Sequence, residues 1–182
     1  MTDYSLHRIW LYPKVDLYFM ATEAMKQEMI ARGFAAEKLL ATGIPIDRRL
    51  QTLAGKDVLR AELELPEDQP AVLLMGGGLG LGGIETTLQA LETLPQKLSL
   101  LVVAGRNERL LQRVRAAAAS SHHLVKVWGY TEKAQMLMKA SDLLITKPGA
   151  LTISESFVLG LPALLHDPIP GPETENAVYA TR

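Results

Sequence analysis

Apolar runs of four to seven residues alternate along this chain with longer stretches whose apolar positions recur at helical spacing. The pattern predicts a strand over 16–20, then a helix capped by Thr22, running to about Arg32 and ended by Gly33. A second strand over 38–42 closes at Gly43-Ile44-Pro45, and a helix is expected from about Asp47 to Glu64, weakened in its middle by Gly55. Beyond a polar, proline-bounded connector at 65–70 the rhythm sharpens. Strands are expected over 71–75, 98–104, 125–128, 143–146 and 162–166. Helices follow them: one ending at about Leu94, then 107–120, 132–139, 151–159 and 174–182. Strands alternating with helices of this length imply a parallel sheet with right-handed crossovers. The strands are nearly continuous apolar runs, as expected when both sheet faces are covered. The fold class is therefore α/β, a doubly wound parallel sheet.

Composition narrows the picture without changing it. With 182 residues, 48% hydrophobic and 21% charged, the chain has the make-up of a soluble domain with a sizeable core. A net charge of -1 argues against nucleic acid as a partner. There is no cysteine, which removes disulfides, thiolate metal sites and thiol nucleophiles and fits a reducing cytoplasm. No apolar run approaches the ~20 residues that span a bilayer, and the first residues lack a signal-peptide pattern.

Two loops at expected carboxyl ends of strands carry candidate chemistry, since ligands of open α/β sheets bind there. The first, 76–83, holds six glycines in eight residues and opens a helix. Without Cβ atoms the backbone can approach a ligand closely, and the helix adds partial positive charge, a combination suited to a diphosphate. Gly78, Gly80 and Gly83 also fit the dinucleotide-binding spacing, but the following strand ends in Gly105-Arg106-Asn107 instead of the acid that holds a ribose. A dinucleotide-dependent oxidoreductase, NADP-linked through an arginine, stays open as an alternative, as does a non-catalytic nucleotide-binding module. In the second loop, Thr146-Lys147-Pro148-Gly149 leads into a helix whose first turn carries Thr152, with Glu155 one turn on. Thr152 and nearby N–H groups can hold a phosphate, and Glu155 can accept from a ribose diol or simply be a first-turn acid.

The remaining reactive residues read as structural. His122-His123 falls in a polar connector and is expected to be solvated, with no carboxylate or histidine at metal-site spacing, so no metal is expected. His166 ends a strand, and Arg106, Arg109 and Arg113 share one face of a helix, solvated or facing anionic lipid. Ser154 and Ser156 lack the partners of a hydrolase triad.

The run 146–155, continued by Gly160-Leu161-Pro162 and by Pro168-Ile169-Pro170-Gly171-Pro172-Glu173-Thr174-Glu175-Asn176, resembles the diacylglycerol glycosyltransferase family. Gly76-Gly77-Gly78, Gly105-Arg106-Asn107 and Thr2-Asp3 followed by His7 and Trp10 extend the resemblance over nearly the whole chain. That family includes monogalactosyldiacylglycerol synthases and processive diacylglycerol glucosyltransferases. It is related to the lipid-linked N-acetylglucosaminyltransferase of peptidoglycan synthesis. The resemblance implies a GT-B enzyme of two Rossmann-like domains, this chain being the C-terminal, donor-binding half, cut at both ends. Residues 1–10 would be a remnant of the acceptor domain and 11–182 the nucleotide-sugar-binding domain, incomplete at its C-terminus.

By that resemblance Glu155 holds the ribose, and Gly149, Leu151 and Thr152 face the diphosphate, with Gly77 and Gly78 approaching from the other loop. Tyr130 and Thr131 meet the uracil, Glu173 and Asn176 read the sugar and β-phosphate side, and Arg106 supplies positive charge. Pro172 stands where plant galactosyltransferases tend to carry glutamine, which leaves the sugar open. The implied function is donor binding for inverting transfer of a hexose from a UDP-sugar to a lipid such as diacylglycerol. No catalytic residue is expected in this chain, because the base belongs to the missing domain, and the isolated chain is expected to be inactive. No cofactor and no metal are implied. The expected location is cytoplasmic, peripheral to the membrane, and apolar surface left bare by truncation favours self-association.

Overall fold

The computed structural model describes residues 1–12, 14–77 and 83–181. The chain divides into two compact units, Met1–Asp47 with Pro148–Ser154 and Pro168–Arg182, and Arg48–Lys147 with Glu155–Asp167.

The first unit opens on a parallel pair, β1 (Tyr18–Met20) and β2 (Leu39–Ala41), joined through α1 (Glu23–Ala31). Thr22 caps α1 as its spacing predicts, its hydroxyl accepting from the Met25 N–H, and Gly33 leaves the helix at φ +90°. Tyr18, Met20, Met25, Met29 and Leu39 form the core of this part. The unit also contains α7 (Pro172–Ala180) and the start of α6 (Ala150–Leu159).

The second unit is built on five parallel strands in the order β5-β4-β3-β6-β7. They are β3 (Ala71–Met75), β4 (Ser99–Val103), β5 (Leu124–Trp128), β6 (Leu143–Thr146) and β7 (Ala163–Leu165). Side chains alternate across the sheet. Leu73, Leu101 and Leu144 pack with Leu59 and Leu63 around α2 (Lys56–Glu62) and with Leu137 and Met138 of α5 (Ala134–Ala140). Val72, Leu100, Val102 and Ile145 pack on the other face with Leu88 of α3 (Ile84–Leu91) and Val114 of α4 (Glu108–Ala118). Each buried leucine contributes about 1.5–3 kcal/mol, so this double-faced core is the main stabilising element of the unit. At the foot of β6, Asp142 accepts from the Ala71 N–H at 2.7 Å and pairs with Arg60 and Lys56 at 2.9 and 2.6 Å. The doubly wound α/β architecture read from the sequence is the one observed.

One expected element is different. The helix anticipated over 47–64 is a short 3-10 segment, Arg48–Thr52, followed by α2. Gly55 does not weaken a helix middle; it is the N-cap of α2, at φ −59° and ψ 154°. Its missing Cβ lowers helix propensity by about 1 kcal/mol, enough to place the break there. Among the described residues no helix is long and apolar enough to cross a membrane.

Candidate functional site

Strand order reverses between β3 and β6: β4 and β5 extend to one side, β7 to the other. At such a switch point the loops leaving neighbouring strands diverge and open a crevice at the carboxyl ends. Here the two strand ends are tied together, the Thr146 hydroxyl donating to the Met75 carbonyl at 3.0 Å. Beyond β3, Gly76 is buried and Gly77 is exposed at φ +73°. Gly78, the other glycine expected at the diphosphate, lies outside the described residues. Gly83 caps α3 at φ +35°, and a Cβ there would come within 2.8 Å of the Asp167 carboxylate, itself held at 3.2 Å from His166 Nδ1. A groove of about 570 Å³ adjoins this point, lined by Gly83, Thr86, Thr87, Ile145, Leu164 and His166.

The end of β4 turns sharply at Gly105, φ +65°, and Asn107 caps α4 by accepting from the Leu110 N–H at 3.0 Å. Arg106 is therefore not on the helix with Arg109 and Arg113. It leaves from the turn, and its guanidinium lies 4.6 Å from the centre of the Tyr130 ring. Tyr130 is 60% exposed at the end of β5, and Thr131 accepts from the Lys133 N–H at 3.1 Å, which starts the turn into α5. Arg113 is bound by both nitrogens to Glu85 at 2.7 Å, so it is not a free cationic face. Glu155, half-buried on α6, accepts from Gln135 Nε2 of α5 at 3.0 Å. That bond holds the carboxylate in one rotamer and leaves it acceptor capacity, since a carboxylate has about four lone-pair sites. Gln135 was not found in the sequence; its link to Glu155 crosses 20 residues and two elements.

In the first unit, Gly149 accepts the first helical bond of α6, from the Ile153 N–H at 3.0 Å. The preceding N–H groups, from Ala150 to Thr152, are those that no helix can satisfy internally. Leu151 is 53% exposed and Thr152 half-buried on this turn. Among the described residues nothing fills the space that a Cβ would take at Gly149. Glu173, at the start of α7, accepts from the Ile169 N–H at 2.7 Å and so braces the 168–172 loop. Asn176, expected at the sugar, is fully buried, and its amide is spent on the chain: it accepts from Tyr4 N–H and donates to Asp3 and the Pro148 carbonyl. It is placed as an internal tie, not as a reader of a ligand.

The histidine pair also needs correction. His123 is buried at 6% exposure, Nδ1 accepting from the Leu98 N–H at 3.3 Å and Nε2 lying 2.9 Å from the Leu91 carbonyl. Glu92, His122 and His123 converge closely enough to share an ion, a grouping that the separation of 92 and 122 along the chain conceals. Both His123 nitrogens already serve the backbone, so ligation would forfeit two buried hydrogen bonds. The triad reads as a staple between α3 and β4.

Comparison with known proteins now bears on these loops. Residues 71–180 match the family model "Glycosyltransferase family 28 C-terminal domain", which covers more than half of the chain. The chain belongs to this family. Residues 1–46 match a second model, "Monogalactosyldiacylglycerol (MGDG) synthase", ending beside the division between the two units at Asp47. The family 28 chain is 35% identical over 180 residues to a processive diacylglycerol beta-glucosyltransferase of Bacillus cytotoxicus, covering 98% of this chain and 46% of that protein. Among solved structures it resembles MurG of Acinetobacter baumannii at 20% identity and TM-score 0.62, covering 90% of this chain and 50% of that one. It also resembles Anabaena HepE crystallised with UDP-glucose, at 19% identity and TM-score 0.53, covering 92% and 53%. These structural likenesses establish the shared fold. The family 28 chain spans about half the length of the curated relatives it matches.

Proposed function

We propose that this chain binds the UDP-sugar donor of an inverting glycosyltransferase that passes a hexose to a lipid acceptor such as diacylglycerol. The observation that carries the reading is the switch point. Thr146 ties β6 to β3 there, and the chain runs directly from β6 into a helix whose second turn presents Glu155, pre-oriented by Gln135. In the second unit Glu155 takes the ribose diol and Gly77 offers close backbone approach to a phosphate, and in the first unit the N–H groups of Gly149, Leu151 and Thr152 are the donors for a diphosphate. Tyr130, with Arg106 over its ring, offers a flat exposed face for a uracil. Similarity to the diacylglycerol glucosyltransferases and to a structure holding UDP-glucose supports the same assignment.

The reaction is a displacement at the anomeric carbon. The acceptor oxygen bonds to that carbon as the carbon–oxygen bond to the β-phosphate breaks, and UDP leaves with the electron pair. The base that takes the acceptor proton lies in the portion of the relatives that this chain does not match. A helix N-terminus meets the growing diphosphate charge, so no metal is required. The acceptor would be met at a membrane surface on the cytoplasmic side.

Calorimetric titration with UDP and, in parallel, NADPH tests the reading. UDP should bind with or without a chelator, and Glu155→Ala should weaken it at least about tenfold by removing a charged acceptor of two hydroxyls. Binding of NADPH but not UDP would replace this reading with an oxidoreductase. No sugar transfer is expected from the chain by itself.

A further inference from the structure

Asp3 and Tyr4, near the amino end, bond across 150 or more residues to Asn176 of α7 and Ser154 of α6. Tyr4 N–H donates to Asn176 Oδ1 at 2.9 Å, and Asn176 Nδ2 donates to Asp3 Oδ1 and to the Pro148 carbonyl, both at 3.2 Å. The Tyr4 hydroxyl and Ser154 Oγ are 2.7 Å apart. Ser154 already donates to the Ala150 carbonyl at 2.7 Å, so the shared proton in the tyrosine–serine bond is the tyrosine's. The Tyr4 ring stacks on Tyr179 of α7, centroids 4.1 Å apart and planes 10° from parallel. Every member belongs to the first unit.

The physical consequence lies in one peptide plane. The Pro148 carbonyl and the Gly149 N–H belong to the same peptide unit, which is trans, so they point in opposite directions. Holding the carbonyl with Asn176 therefore aims the Gly149 N–H, and Tyr4 fixes both Asn176 and the first turn of α6 through Ser154. A buried amide left without a partner is costly, so each of the three contacts is favoured over its loss.

We propose that Tyr4 and Asn176 are positioning residues, a clasp that orients the backbone N–H groups at the start of α6 toward a diphosphate. This rests on the donor-binding reading. The clasp touches no ligand itself and acts through Pro148 and Ser154.

The test uses the 182-residue chain with Tyr4→Phe, which keeps the ring stack, and Asn176→Ala. Affinity is measured for UDP and for uridine, which lacks the diphosphate, alongside amide hydrogen exchange across residues 149–153. UDP should weaken about threefold in Tyr4→Phe and about tenfold in Asn176→Ala, with uridine unchanged and faster exchange confined to that turn. Equal losses for UDP and uridine, or no change in either, would reduce the clasp to a stability element and overturn the proposal. A wild-type chain that binds neither nucleotide would sink the donor reading. The exchange measurement then decides the clasp alone: local acceleration in Tyr4→Phe upholds it, and unchanged exchange ends it. Should Asn176→Ala fail to fold, Tyr4→Phe carries both measurements.

Discussion

β4 and β7 are written in nearly the same letters and live in different surroundings. Leu100, Leu101 and Val102 of β4 are fully buried, with strands on either side and helices on both faces. Leu164 of β7 is 51% exposed, paired with β6 through the register Leu164↔Ile145, and borders the groove beside α3. Apolar composition marks a segment as a strand; it does not supply the neighbours that cover it. A strand with a neighbour on each side is a core element, and the strand at the end of the order is a surface.

The sharpest way to break that comparison is truncation. Leu101→Ala should cost about 3 kcal/mol, within the range for buried leucines, and Leu164→Ala less than about 1 kcal/mol, both read from urea unfolding midpoints. Equal costs would mean that β7 is covered in solution. Next in size is the staple at the start of β4. His123→Ala should cost about 2 kcal/mol by orphaning the Leu98 N–H and Leu91 carbonyl. His122→Ala, an exposed side chain paired to Glu92, should cost less than about 1 kcal/mol.

Asp142 ties the foot of β6 to the start of β3 and to α2, between the two strands compared, and its effect depends on pH. Burial alone would push its carboxyl up, but Lys56, the Ala71 N–H and Arg60 outweigh that and hold it below the ordinary value of 3.8. Its contribution is therefore present above that ordinary value and is lost as pH falls through the depressed one. Thermal midpoints should decline on acidification below about pH 4, and the decline should be shallower in Asp142→Asn. The smallest effect is expected at the edge. Leu164→Lys should leave stability within about 0.5 kcal/mol while lowering any concentration-dependent light scattering of the chain. Wild-type scattering that is flat with concentration would show that the exposed edge does not drive association.

Most of the architecture was legible because it is local. Alternating runs mark β3 and β6 to the residue, and Thr22 and Gly33 announce the ends of α1 through chemistry within one turn. The helix break before α2 was less so, since Gly55 signals weakness without saying whether tertiary contacts override it. The site divides the same way. Gly77, Gly149, Thr152 and Glu155 stand out because loop and helix start adjoin in sequence. The Gln135 bond to Glu155, the burial of His123 and the Asn176 tie depend on partners 20 to 173 residues away, which no window of sequence contains. The family resemblance assigns Asn176 to the sugar side; only the folded chain shows that Asp3, Tyr4 and Pro148 already occupy its amide.

Position 83 shows which kind of obstacle persists through heritable change. A Cβ there meets the tip of the Asp167 side chain, which is exposed and can turn aside, so that obstacle is soft. The left-handed backbone is not soft: it belongs to residue 83 itself, and no change at 167 relaxes it. The two positions therefore vary almost independently, and a library varying them together should recover glycine at 83 on every background, with or without Asp167.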